Sequence, residues 1–524
     1  MFRHLLTTKR LRTQSAQENQ LSETDSEQSV HIEMKVQDNM TKVKETLHAP
    51  SDLEMKEFTI GQNNHMCGLV CIDGLVDKDL IYDKVLKNIQ LFMMDTKDYD
   101  SAKSIVTELE NQVVTVTTVT ASGKLDEIVQ AILSGDTVLF VEDASEALII
   151  GSKGWENRAI SEPVTEAVVR GPRNGFTENL RTNMMQLRRQ IRDPNLHFDS
   201  IIVGRRSKKE AVISYIGGIA DPKVVEEFKY RIESIDIDEV LETGYIEQWI
   251  EDSFLSPFPQ LQNTERPDRV AGSLLQGYVA VLLDGTPFAL YGPSTLATTI
   301  QSPEDYYERW EIATLLRVVR YGAAFLATFL PAIYIALVSF HPGLIPSKLA
   351  FSIASTREGV PFPAVIEAFM MEITLELLRE AGLRLPKPIG QTIGIVGGLV
   401  IGEAAVSAGI ISPIMVIVVA ITAISSFALP AYNLGISLRI IRFPIMVMSA
   451  TFGLYGLIIA YIIINIHVAN LKSFGVPYST PFAPSLYSDW KDLVLRAPLT
   501  MLTKRPKMVN AQNTRRMDKG ESSK

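Results

Sequence analysis

Cysteine is nearly missing from this chain. Two in 524 residues exclude the disulfide-framed scaffold of a small secreted protein. Catalytic signatures are missing as well. There is no GxxxxGK[ST], HExxH or GxSxG, and the seven histidines are scattered, so no nucleophile–base constellation forms and neither an enzyme nor a cofactor site is expected. Gly394-Ile-Val-Gly-Gly398 imitates part of a dinucleotide fingerprint, but it lies inside an apolar run with no βαβ context. His65, Cys67 and Cys71 have C-x3-C spacing with no second pair, which predicts free thiols rather than a metal site.

Charge is missing from one region. Residues 321–470 hold 7 basic and 6 acidic residues, net +1; residues 1–320 hold 34 and 50, net −16; residues 471–524 hold 10 and 4, net +6. These sum to the chain's −9. A nucleic-acid binder gathers basic charge on its folded domain. Here that domain is strongly acidic, so no nucleic-acid partner is expected. An acidic hydrophilic half, a nearly uncharged middle and a basic tail predict a membrane protein with a large cytoplasmic domain. The apolar pair Leu5-Leu6 is too short for a secretory signal.

The expected organisation follows from local patterning. Residues 1–56 are polar without a sustained period and predict a disordered tail. Two α/β or α+β subdomains follow, over 57–180 and 181–310, because helical periods alternate with short β-branched runs. Helices are predicted at Leu75–Met93, Lys124–Leu133, Glu178–Arg192 (N-capped by Thr177) and Pro222–Ser234. Strands are predicted at Val113–Thr120, Thr137–Val141, Ala147–Ile150, Ser200–Gly204 and Ala211–Ile216. Asp284-Gly285-Thr286-Pro287 joins Tyr278–Leu283 to Phe288–Tyr291 as a hairpin.

An α-helical membrane domain is expected over 311–470, with about four transmembrane helices near 321–340, 389–411, 414–429 and 445–468. Residues 389–429 hold one charge, Glu403. As one helix they would extend about 60 Å, twice a bilayer core, so the run must break, naturally at Ser412-Pro413. Residues 362–381 form an amphipathic helix whose Glu367, Glu372, Glu376 and Glu380 are too costly for lipid. They predict a solvated face, or alternatively an electronegative vestibule. Leu434–Phe443, with Arg439 and Arg442, is predicted as a second interfacial segment. Residues 471–524 are the basic cytoplasmic tail, on the same side as the N-terminal domain by the positive-inside rule.

The second span carries the densest signal. Gly390, Gly394, Gly398 and Gly402 recur every four residues and suit close helix packing. Roughly opposite lie Val396, Val400, Glu403 and Ser407, predicted as pore-lining: a carboxylate ring attracting cations beside an apolar constriction. The competing expectation is a static bundle in which Glu403 pairs with a polar neighbour.

Several motifs together resemble the A subunit of the GerA-type spore germination (nutrient germinant) receptor family. They are Ala131-Ile-Leu-Ser-Gly-Asp-Thr-Val-Leu-Phe140, Ser161-Glu-Pro163, and Arg170, Gly171, Pro172, Arg173, Asn174, Gly175 and Phe176 through Glu178. Tyr215–Ala220, Ser256-Pro-Phe-Pro259, Glu265-Arg-Pro-Asp268, Leu429–Gly435 and Arg439–Pro444 extend the match. Asn174 stands where Glu is expected in many members. The resemblance implies a multi-pass protein of the inner spore membrane. It would act with a transporter-like B subunit and a lipoprotein C subunit. It would also assemble as a homo-oligomer, a pentamer by this likeness, into a nutrient-gated channel for monovalent cations. A non-conducting signalling or scaffold subunit is the alternative. Arg170, Arg173 and Arg181 are expected in ion pairs between domains or subunits, with an anion site as the other reading.

Overall fold

The computed structural model describes residues 30–60, 65–89, 106, 109, 118–154, 162–163, 166, 168–384, 398 and 400–517. The chain divides into two compact units, one of residues 1–160 with 179–200, the other of 161–178 with 201–524. The helix expected from Glu178 therefore goes with the first unit.

The first unit contains helix α1 (Val36–Thr46), strands β1 (Leu53–Ile60), β2 (His65–Ile72) and β3 (Val119–Ser122), and helix α2 (Leu125–Leu133). Strands β4 (Thr137–Val141) and β5 (Ala147–Ile150) and helix α3 (Leu180–Gln190) follow. The five strands form one antiparallel sheet in the order β1-β2-β4-β5-β3. Strand alternation sends Val70, Ile72, Val138 and Phe140 to one face, under Val43 of α1 and Ile128 and Ile132 of α2. Cys67, Leu69, Cys71, Leu139 and Val141 go to the other, with Ile81, Val85 and Ile89. Gly68 admits α1: a Cβ there would lie 2.4 Å from the Met40 sulfur. Asn179, not Thr177, caps α3, its side chain accepting from the Thr182 amide. Two residues closer to the first buried turn, it reaches the unpaired amides directly.

The second unit carries strands β6 (Leu196–Val203, whose first residues belong to the first unit) and β7 (Lys209–Ile216), and helices α4 (Pro222–Glu233) and α5 (Thr243–Ile250). Strand β8 (Gln262–Thr264), helix α6 (Pro267–Leu274), strands β9 (Val279–Leu283) and β10 (Ala289–Gly292), and short helices α7 (Leu296–Ile300) and α8 (Glu304–Tyr307) follow. The sheet order is β6-β7-β9-β10-β8, and β9–β10 is the predicted hairpin. Phe228, Ile232, Ile246 and Ile250 of the two long helices pack on Ile213, Val281 and Leu290.

Beyond this sheet lies a helical part: α9 (Trp310–Ser339), α10 (Ser347–Arg357), α11 (Ala364–Arg384), helical residues 400–407, α12 (Pro413–Phe427) and α13 (Tyr432–Asn470). Two of these, α9 and α13, are long and apolar enough to cross a membrane, where the sequence predicts four such spans. The predicted break at Ser412-Pro413 is present, with Pro413 opening α12, but α12 has only 15 residues. Most of the span predicted near 389–411 lies outside the described residues.

The predicted fourth span and the predicted interfacial segment before it are both corrected. Residues 432–470 are one helical element interrupted at Gly453, whose φ of 60° and ψ of −140° are not helical. The element reverses there. Ser437 donates to the Pro257 carbonyl and His467 bonds Ser256 at 2.9 Å, whereas a straight helix would separate residues 437 and 467 by about 45 Å. Leu434, Leu438 and Val468 accordingly share one cluster. Glycine alone tolerates that backbone and that proximity, since a Cβ at Gly456 would lie 2.0 Å from the Met448 carbonyl oxygen.

Helix α9 runs alongside the hairpin. Its Tyr321 lies in the cluster at the hairpin's base, Ala332 accepts from Ser449 at 2.6 Å, and Phe340 abuts Gly453 at the tip. Helices α11 and α12 run from the tip toward the base. Glu367 meets Ser412 at one end, and Arg379 meets Ser426 at the other. The basic tail then returns to the sheet, where Phe474 stacks on Phe228 at 3.9 Å, Gln512 donates to the Ile219 carbonyl and Met508 is buried.

Candidate functional site

The predicted pore-lining residues divide between described and undescribed. Val396, Gly390 and Gly394 lie outside the described residues. On the helical turns 400–407, Gly402 is buried, and a Cβ there would stand 3.7 Å from Val416 of α12. Glycine lets this segment lie close on its neighbour. Val400 (51% exposed), Glu403 and Ser407 are exposed. Gly398 meets no heavy atom within 4 Å. One face of this segment thus packs within the chain, and the other presents a carboxylate, a hydroxyl and an apolar side chain that no described residue covers. Glu403 makes no ion pair among the described residues, in contrast to the four glutamates of α11.

Those other carboxylates correct the prediction of a solvated glutamate face on α11. Glu367 is fully buried, 3.0 Å from the Arg357 guanidinium, and accepts from the Ser412 amide at 2.8 Å. It therefore fastens α10 to the start of α12. Glu372 is buried against Arg442, and Glu376 lies 3.2 Å from Arg379 and 3.7 Å from Arg439. Only Glu376 and Glu380 keep substantial exposure. Two charges so far from water persist because each has an opposite partner.

Sequence reasoning missed this ladder because its partners stand about 70 positions apart. A signal was nonetheless present. Glu372 and Glu376 are four residues apart, Arg442 and Arg439 three, and both spacings place side chains on one helix face. Two antiparallel helices bring such pairs into register.

A second missed cluster joins the sheet to α9. Asp305, fully buried, accepts from Arg317 at 2.7 Å and from Arg320 at 2.8 Å. Arg496 of the tail donates to the Asp305 carbonyl, and Arg317 also donates to the Asp492 carbonyl. Arg317 and Arg320, just before the span expected near 321–340, are therefore bolts holding its entrance to α8 and the tail.

The segment Arg170–Phe176 is a docked turn of the second unit. Phe176 is buried and its amide donates to the Glu265 carbonyl at 2.7 Å. The buried Arg266 donates to the Pro172 carbonyl at 2.9 Å. Gly171, with a φ of 140°, lies against Tyr307, whose ring would be 2.7 Å from a Cβ. Arg173 pairs with Glu162 on the surface at 3.0 Å. In the first unit, Arg181 donates to the Ser51 carbonyl at 3.4 Å. Cys67 and Cys71 are free and buried, and burial pushes both thiols up to about 12. No group of three or more histidine, cysteine or acidic residues is arranged to hold a metal among the described residues.

Residues 41–508 match the family described as Bacillus/Clostridium GerA spore germination protein. Spore germination protein GerLA of Bacillus cereus is 48% identical over 475 residues, covering 91% of this chain and 96% of that protein. Spore germination protein KA of Bacillus subtilis (strain 168) is 42% identical over 498 residues, 95% and 91% of the two chains. The crystallised N-terminal domain of the A subunit of the Bacillus megaterium germinant receptor GerK3 is 34% identical, with a TM-score of 0.41 over 51% of this chain and 98% of that one. The chain belongs to the GerA family of spore germination proteins.

Proposed function

We propose that this chain is the membrane subunit of a spore nutrient germinant receptor, and that copies of it assemble into a nutrient-gated cation channel. One observation carries this reading. The segment 400–407 packs through Gly402 while Val400, Glu403 and Ser407 stay exposed. An uncovered carboxylate within an apolar bundle suits a water-filled path or a subunit interface far better than lipid. In a ring of copies, Glu403 would concentrate cations and Val400 would narrow the path.

The bundle geometry supports a multi-pass arrangement. Helix α9 from Tyr321 to Phe340 and the first hairpin arm each extend about 30 Å, the thickness of a hydrocarbon core. Helices α9, α11, residues 400–407, α12 and the two arms alternate in direction. That alternation fits a chain that crosses the membrane several times and returns the tail to the side of the second unit's sheet. The sheet of the second unit then faces the cytoplasm, beneath the inner spore membrane. B and C receptor subunits would supply the nutrient signal, and the ion-paired ladder of α11 would hold the bundle as one body while the 400–407 segment moves.

Planar-bilayer recording tests the reading. The purified protein with Val400→Ala, which widens the narrowest apolar point, should pass potassium across the bilayer. A membrane that stays silent with both the wild-type and the Val400→Ala protein would favour a scaffold subunit that relays germinant binding to another ion-moving component.

A further inference from the structure

The second unit contains a cavity of about 480 Å³ away from the helical bundle, within the size range of small-molecule sites. Tyr278 and Tyr291 form its floor, edge to face at 6.1 Å. Tyr306 and Tyr307 of α8 and Leu275 stand at its sides, and the returning tail closes over it with Leu499, Arg505 and Arg516.

Most polar groups of the wall are already engaged. Gln262 accepts from Tyr291 at 2.6 Å and from Arg269 at 2.7 Å. Tyr307 donates to Asp268, and Tyr306 donates to Asp492 at 2.7 Å.

Three groups keep donor capacity to spare: the Tyr278 hydroxyl, Nη2 of Arg505 and the Arg516 guanidinium. The Tyr278 hydroxyl, on a residue only 3% exposed, makes no hydrogen bond among the described residues. Arg505 donates to the Leu275, Asn513 and Arg515 carbonyls and has no carboxylate partner among the described residues. Arg516 comes no closer to a carboxylate than 3.9 Å, at Asp492. Burial and the neighbouring Arg516 guanidinium both disfavour the charged form of Arg505. Two guanidiniums crowded at one mouth are stabilised by an anion between them.

We propose that this cavity is a binding site for a small organic anion, its charged head held by Arg505, Arg516 and the Tyr278 hydroxyl and its apolar body lying between the tyrosine rings and Leu275. The site is independent of the channel reading. It adjoins α8, whose Asp305 grips Arg317 and Arg320 of α9, so an occupant bears on the helix that leaves the sheet.

The test is fluorine NMR of 4-fluorobenzoate added to the purified full chain in nanodiscs, with empty nanodiscs as the blank. Saturable broadening of the probe is expected. Arg516→Gln and Tyr278→Phe should each weaken binding, the arginine variant by roughly tenfold or more. Arg206→Gln, on an exposed pair with Asp238 elsewhere in the unit, should leave binding unchanged. Inorganic phosphate, which lacks the apolar body, should compete only weakly. Broadening no greater than with empty nanodiscs, or equal binding by wild type and both cavity variants with unchanged melting temperatures, overturns the proposal.

Discussion

Ser437 and His467, thirty positions apart, reach the same dipeptide, Ser256-Pro257. That shared contact converts a 39-residue apolar element into a hairpin, and the turn rests on Gly453. A valine there would carry a side chain at a φ of 60° and bring its Cβ to 3.0 Å from Phe340 and His341. Gly453→Val is expected to cost about 1–3 kcal/mol and to lower the melting temperature of the detergent-solubilised protein. A melting curve superimposable on wild type would show that the reversal does not depend on this glycine.

The pair Glu372–Arg442 leads to a double-mutant prediction. Glu372→Gln leaves a guanidinium buried without a counter-charge, at a cost of about 3–5 kcal/mol. Adding Arg442→Met removes the stranded charge and should recover most of the loss. Thermal unfolding of the three variants measures the coupling. Additive losses would mean that the two groups do not interact.

Glu247 of α5 gives a pH dependence. Burial, aided by Glu251 and Glu242, pushes its carboxyl up from 4.5 to about 8, and Glu251 rises to about 6. Between about 4.5 and 8, Glu247 holds more protons folded than unfolded, so stability present below that window is lost as pH rises through it. Glu247→Gln should flatten the decline in melting temperature between pH 5 and 8, and an unchanged slope would assign the decline to other groups.

The two thiols should be silent. With both pushed up to about 12 and buried, Cys67 and Cys71 are expected to react with a disulfide reagent at pH 8 only after denaturant is added. Titration of thiols in the native protein measures this, and two equivalents released at once would contradict the packing of β2.

Strands β4, β5 and β7 and the β9–β10 hairpin were legible because short β-branched runs and the Asp284–Pro287 turn are local signals, whereas β1, β2 and β8 were not predicted. The break at Ser412-Pro413 was legible too, where proline and a length argument coincide. The α13 hairpin was not: residues 445–468 contain no Asp, Glu, Lys or Arg, and two glycines in such a run are as ordinary in a straight membrane helix. The buried pairs Glu372–Arg442 and Asp305–Arg317 were hidden for another reason. Charge counted along a helix looks solvated until the helix carrying the opposite charge is placed beside it. The docking of the tail depended on Phe474 and Met508, two side chains with no periodic context.

Glu403 is the charge on which the channel account turns. Spores carrying Glu403→Gln in this receptor, with the protein present at its normal level, should release potassium more slowly after germinant than wild-type spores. Equal potassium release from the two would contradict a cation path lined by Glu403.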